Sequence, residues 1–139
     1  MQEDIFIKKK CKRYNNPGHA HELTFSCYRN QKFLISERVC KWLIESIEKA
    51  REIHKFSLWA YVFMPDHVHL LIKPTKEQYN ISNILKDIKT NPARKAVKYL
   101  KENKPFELSK LSSEQQYRKY RFWQKGGGYD RNVIKKILC

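Results

Sequence analysis

Leu23, Phe25 and Cys27 alternate with polar positions, which predicts a strand from His21 to Tyr28 after the turn-forming run Tyr14-Asn15-Asn16-Pro17-Gly18. Ser36 then has the hydroxyl of a helix N-cap. Beyond it Val39, Leu43, Ile47 and Ala50 recur at spacings of three and four, giving a helix to about His54 with one apolar face. The nearly continuous apolar run from Phe56 to Phe63 predicts a central strand covered on both faces. Met64-Pro65-Asp66-His67 has the composition of a turn, and the run from His67 to Ile72 predicts an antiparallel partner. From Ile81 the residues Ile84, Leu85 and Ile88 have helical spacing. Pro92 lacks a backbone donor, so a break or kink near Asn91 is expected, with a second helical piece from Pro92 to about Glu102. Residues 103–116 read as a polar connection, and Tyr120 to Gln124 as a further strand before Gly126-Gly127-Gly128.

The 139 residues suit one domain, and no apolar run is long enough for a membrane span or a signal core, so a soluble cytoplasmic protein is expected. Twenty-nine Lys and Arg against 14 Asp and Glu leave a net charge of +15, which calls for a polyanionic partner, nucleic acid before an acidic membrane surface. Cys11, Cys27, Cys40 and Cys139 form no CxxC pair and are expected as reduced thiols.

Strand alternation sends His67, His69 and Leu71 to one face and Val68, Leu70 and Ile72 to the other. If the valine side meets the helices, the two imidazoles, about 7 Å apart along the strand, can converge on one cation. They also suit an ordinary solvated sheet face. Asp66 is adjacent, although alternation directs it to the opposite face. Lys86, Lys89 and Arg94, with Lys95, Lys98 and Lys101, can follow a phosphate backbone. Arg118, Lys119, Arg121, Lys125 and Arg131 extend that set, while Tyr120, Trp123 and Tyr129 can stack on unpaired bases, although Phe122 and Trp123 taken singly read as core.

The segment from Tyr61 to Pro74, with His67-Val68-His69 at its centre, resembles the HUH signature of single-tyrosine transposases. The likeness extends through Tyr14 to His21, the helix from Ile84 to Lys89, and Arg121 to Arg131. That combination is similar to the REP-associated tyrosine transposase branch of the insertion sequence 200-like superfamily. The resemblance implies an α+β fold, an antiparallel central sheet with flanking helices of ferredoxin-like type. It also implies that His67 and His69 hold Mg²⁺ or Mn²⁺, and that a tyrosine hydroxyl attacks single-stranded DNA to leave a 5′-phosphotyrosine and a free 3′-hydroxyl. Single-stranded or hairpin DNA is the implied partner, with Lys89 first among the phosphate contacts, and a homodimer is conceivable.

The family's nucleophilic tyrosine lies beyond the glycine region, on a helix with an Asn-Pro step, its asparagine four residues later. Here no tyrosine follows Tyr129 and no Asn-Pro follows Asn91-Pro92. The expectation is a single transposase-like domain over residues 1–139, truncated at its C-terminus. Tyr129 is then the replacement nucleophile on offer, although its family counterpart is not catalytic. Two other readings compete: a catalytically inactive nucleic-acid-binding module, and a general RNA-binding sheet domain.

Overall fold

The computed structural model describes residues 13–113, 119–126 and 128–133. Cys11, Cys139 and Arg118 lie outside that set. The expected first strand is β1 (Ala20–Ser26), and the Ser36-capped helix is α1 (Glu37–His54), with the Ser36 side chain accepting from the Val39 amide. The hairpin comprises β2 (Phe56–Phe63) and β3 (His67–Pro74), closed by a bond from the Met64 amide to the His67 carbonyl. After α2 (Ile81–Asn103) and a 3-10 segment (Glu107–Leu111), a short β4 (Tyr129–Val133) completes the sheet. The strand order is β2-β3-β1-β4 and each neighbouring pair is antiparallel.

Both helices cover one face. Leu23 and Phe25 of β1 and Val68, Leu70 and Ile72 of β3 meet Leu43, Ile47, Ile84 and Ile88 in a single buried cluster. Among the described residues no helix lies on the sheet's other face, and alternation along β3 leaves His67, His69 and Leu71 half-buried on that open side.

Four expectations need correction. The strand Phe56–Phe63 is an edge strand rather than a central one, and Trp59, Tyr61 and Val62 are exposed. Its continuous apolar character suggested cover on both sides, but among the described residues it has no outer neighbour, and a bulge interrupts its register between Leu58 and Ala60. Pro92 does not end the helix; α2 runs through it. The carbonyl it cannot bond, Ile88, accepts from the buried Ser46 hydroxyl at 2.7 Å, and the neighbouring Lys89 carbonyl accepts from the Trp123 indole N–H at 3.0 Å. Tyr120 to Gln124 is not a strand. It makes only the isolated bridges Ser112 to Tyr120 and Cys27 to Trp123, while Phe122 and Trp123 enter the core. The polar connection contains Leu108 and Leu111, both buried.

Candidate metal centre and nucleic-acid interface

The tight turn at Met64 to His67 delivers both imidazoles to the start of β3, where the sheet is open. Their Nε2 atoms are 3.0 Å apart and the rings are nearly perpendicular, with centroids 4.7 Å apart. Each Nδ1 has a partner on the other side: Asp66 Oδ1 at 2.8 Å for His67 and Thr24 Oγ1 at 3.0 Å for His69. Asp66 therefore does not turn to the opposite face as strand alternation implied. It belongs to the turn preceding β3, where strand periodicity does not apply. The hydrogen bond from His67 lowers the Asp66 pKa below the ordinary carboxylate value, so the group is ionised at neutral pH and can only accept. His67 Nδ1 then carries the proton, and in the neutral ring its Nε2 presents a lone pair.

Thr24 can act either way. As acceptor it sets both Nε2 lone pairs facing one another, which a cation between them would stabilise. As donor it lets His69 Nε2–H bond to His67 Nε2. Two neighbouring ligands about 2.1 Å from one octahedral cation lie about 3 Å apart, so the observed nitrogen separation fits a shared divalent ion. No group of three or more His, Cys, Asp or Glu suited to a metal occurs among the described residues.

Tyr129 and His69 both stand opposite Thr24, on the two sides of β1. Cross-strand partners share a face, so Tyr129 lies on the open side with the histidines, two strand spacings or about 10 Å away at the backbone. Its ring is half exposed. Arg131, also on β4, pairs with Glu22 at 2.8 Å and stands apart from the other cations.

On the helix side, Lys86, Lys89, Arg94, Arg121 and Lys125 are brought together along one groove of about 1380 Å³ between α2 and residues 119–126. Arg13, Lys98, Lys101 and Lys119 join them, and no acidic side chain appears among the described lining residues. Trp123 is buried, edge-on to Phe25, so core packing and its bond to Lys89 replace the expected stacking surface. Lys89 Nζ reaches the Gly126 carbonyl at 3.4 Å. Gly128 has φ of 69°, and a Cβ there would sit 2.0 Å from the Thr24 carbonyl oxygen, which is the close approach that the glycine run implied. The groove and the histidine pair meet at one end of the sheet: the Gln124 amide bonds Ser26, and Ser26 stands opposite His67.

Sequence reasoning missed the network that anchors β4. His21 is fully buried, with Nδ1 2.7 Å from Asp130 and Nε2 2.7 Å from the Tyr79 hydroxyl; Arg13 holds the other Asp130 oxygen at 3.1 Å. Burial, and after it the Asp130 charge, raises the Tyr79 pKa. The signal was His21 itself, since alternation with Leu23 and Phe25 places it on the apolar face, where a histidine needs partners.

A sequence model of the family described as "Transposase IS200 like" matches residues 17–130. Among solved structures, a REP-associated tyrosine transposase bound to a REP hairpin superposes with a TM-score of 0.62 at 17% identity. The match covers 90% of this chain, which spans 62% of that chain's length. A protein assigned as a transposase from Deinococcus radiodurans superposes with a TM-score of 0.56 at 17% identity, covering 91% of this chain and 86% of that one. No curated protein matches.

Proposed function

Because this chain belongs to the IS200-like transposase family, we propose that it binds single-stranded or hairpin DNA and carries the metal-assisted strand cleavage of that family on its open sheet face. The observation that supports this reading best is the convergence of His67 and His69 Nε2 at 3.0 Å with both Nδ1 atoms engaged elsewhere. His67 and His69 would hold Mg²⁺ or Mn²⁺, which would supply Lewis-acid neutralisation of charge on a phosphate oxygen. Asp66 fixes the tautomer of His67, and Thr24 orients His69. Lys86, Lys89, Arg94, Arg121 and Lys125 align the sugar-phosphate backbone, and the helix-side groove excludes acidic groups that would repel it. The Tyr129 hydroxyl is the proposed nucleophile. Its oxygen bonds to phosphorus as the bond to the 3′-oxygen breaks, the phenol giving up its proton and the departing 3′-oxygen taking one up, which leaves a 5′-phosphotyrosine and a 3′-hydroxyl.

A 5′-tailed hairpin oligonucleotide with Mn²⁺ tests the reading. The expected product is a protein–DNA adduct resistant to denaturing electrophoresis, absent in Tyr129→Phe and in His67→Ala with His69→Ala. The distance of Tyr129 from His69, two strands away, favours a second reading: binding without chemistry. Salt-sensitive hairpin binding with no adduct under Mg²⁺ or Mn²⁺ would select it, and failure to bind at low salt would overturn both.

A further inference from the structure

The opposite flank of α2 from the cationic groove holds a second depression, of about 520 Å³, between the start of α1, the end of α2 and the 3-10 segment. Its floor is apolar, formed by Val39, Trp42, Ala96, Leu100 and Leu111. Its rim is cationic: Lys32, Arg38, Lys104 and Lys110 surround the floor, against Glu107 as the one acid among the described lining residues. The Arg38 guanidinium stacks 4.1 Å above the Tyr99 ring, which holds its plane at the mouth.

Among the described residues, the two most exposed of the large apolar side chains lie within this lining or next to it in sequence. Ile35, 68% exposed, lines it, and Phe106, 93% exposed, lies in the turn between the rim residues Lys104 and Glu107. Apolar side chains held in water around an apolar hollow mark an interaction surface. Two polar side chains of the lining are engaged within the protein: Gln31 donates to the Lys110 carbonyl at 2.7 Å and Ser36 caps the Val39 amide. A nucleobase entering here would bury ring nitrogens and carbonyls without hydrogen bonds, which is costly. An apolar side chain flanked by carboxylates leaves nothing buried unpaired.

We infer that this depression docks a short acidic peptide segment of a partner protein, with a bulky apolar side chain in the hollow and carboxylates on the Lys32, Arg38, Lys104 and Lys110 rim. The inference rests on charge and shape complementarity at a site separate from the histidines and the groove. It stands whether or not the chain cleaves DNA.

Fluorescence anisotropy with the intact chain tests it, using a labelled peptide of four aspartates followed by leucine and phenylalanine. A control peptide ends in two serines. The expected result is saturable binding that falls at least tenfold for the serine-tipped peptide. Phe106→Ser and Arg38→Ala should each weaken the first peptide at least fivefold, while Lys86→Ala with Arg94→Ala leaves it within twofold. Phe106 is almost wholly in water, so its replacement carries little risk to folding. Indifference to the tip, or loss in the groove variant instead, would show adventitious attraction to the basic groove and overturn the inference. Displacement of the peptide by a single-stranded oligonucleotide in the groove variant would reassign the depression to nucleic acid. Concentration-dependent self-association abolished by Phe106→Ser would reassign it to a second copy of the chain.

Discussion

The Ser46 hydroxyl of α1 donates to the Ile88 carbonyl of α2 at 2.7 Å, and Ile88 is the residue whose helical partner would have been the missing N–H of Pro92. One side chain on a neighbouring helix thereby replaces the bond that proline removes. Ser46→Ala should cost about 1–3 kcal/mol in urea unfolding, because it leaves a buried carbonyl without a donor. In a Pro92→Ala background residue 92 regains its N–H, and the same serine substitution should cost less than half as much. Equal costs in both backgrounds would show that Ser46 does not act through that carbonyl.

The orienting partners of the two histidines should govern metal affinity. Asp66→Ala and Thr24→Val are each expected to weaken Mn²⁺ binding about tenfold in titration calorimetry, and His67→Ala with His69→Ala to abolish it. Hairpin binding measured without metal should change less than twofold in all of these, since none lines the cationic groove.

Groove contacts predict a particular salt response. Each phosphate neutralised on a single strand contributes about 0.7 to the slope of log affinity against log salt. Lys86→Ala with Arg94→Ala should lower that slope by about 1.4, and Arg131→Ala, paired with Glu22 on the open face, by far less. A slope unchanged by the double variant would place the backbone elsewhere.

Gly128→Ala should destabilise the chain by about 2 kcal/mol or more in thermal or urea unfolding. The new methyl meets the Thr24 carbonyl oxygen at 2.0 Å and the residue keeps a left-handed φ of 69°. Gly126→Ala, with open space at its Cβ, should cost less.

Cys27 provides a chemical check on the core. Burial raises its thiol pKa to about 12, so little thiolate exists at pH 8. Iodoacetamide at that pH should leave the Cys27 peptide unmodified in native protein and alkylate it fully in guanidinium, as read by mass spectrometry.

Periodicity alone located α1, the β2–β3 hairpin and the histidine face, because those features depend on residues near in sequence. Ser36, the alternation from His67 to Ile72 and the Met-Pro-Asp turn each act within a few positions. What stayed hidden depends on distant partners. Nothing near Pro92 announces Ser46, 46 positions earlier, and nothing near Tyr129 announces the His21–Asp130 pair that anchors β4. Trp123 illustrates the same limit: an aromatic in a basic segment looks like a stacking platform until its N–H is seen to satisfy a helix carbonyl. The basic residues of the groove were identifiable individually, but their gathering along one wall required α2 to continue unbroken through Pro92.

The cationic groove and the histidine pair occupy opposite sides of one sheet and meet only around its end, at Gln124 and Ser26. A polymer touching both must double back within a few nucleotides. Duplex DNA, with a persistence length of about 150 base pairs, resists that curvature, whereas an unpaired strand adopts it at little cost. Under the proposed function, the layered architecture would discriminate by bending stiffness, before any base is read.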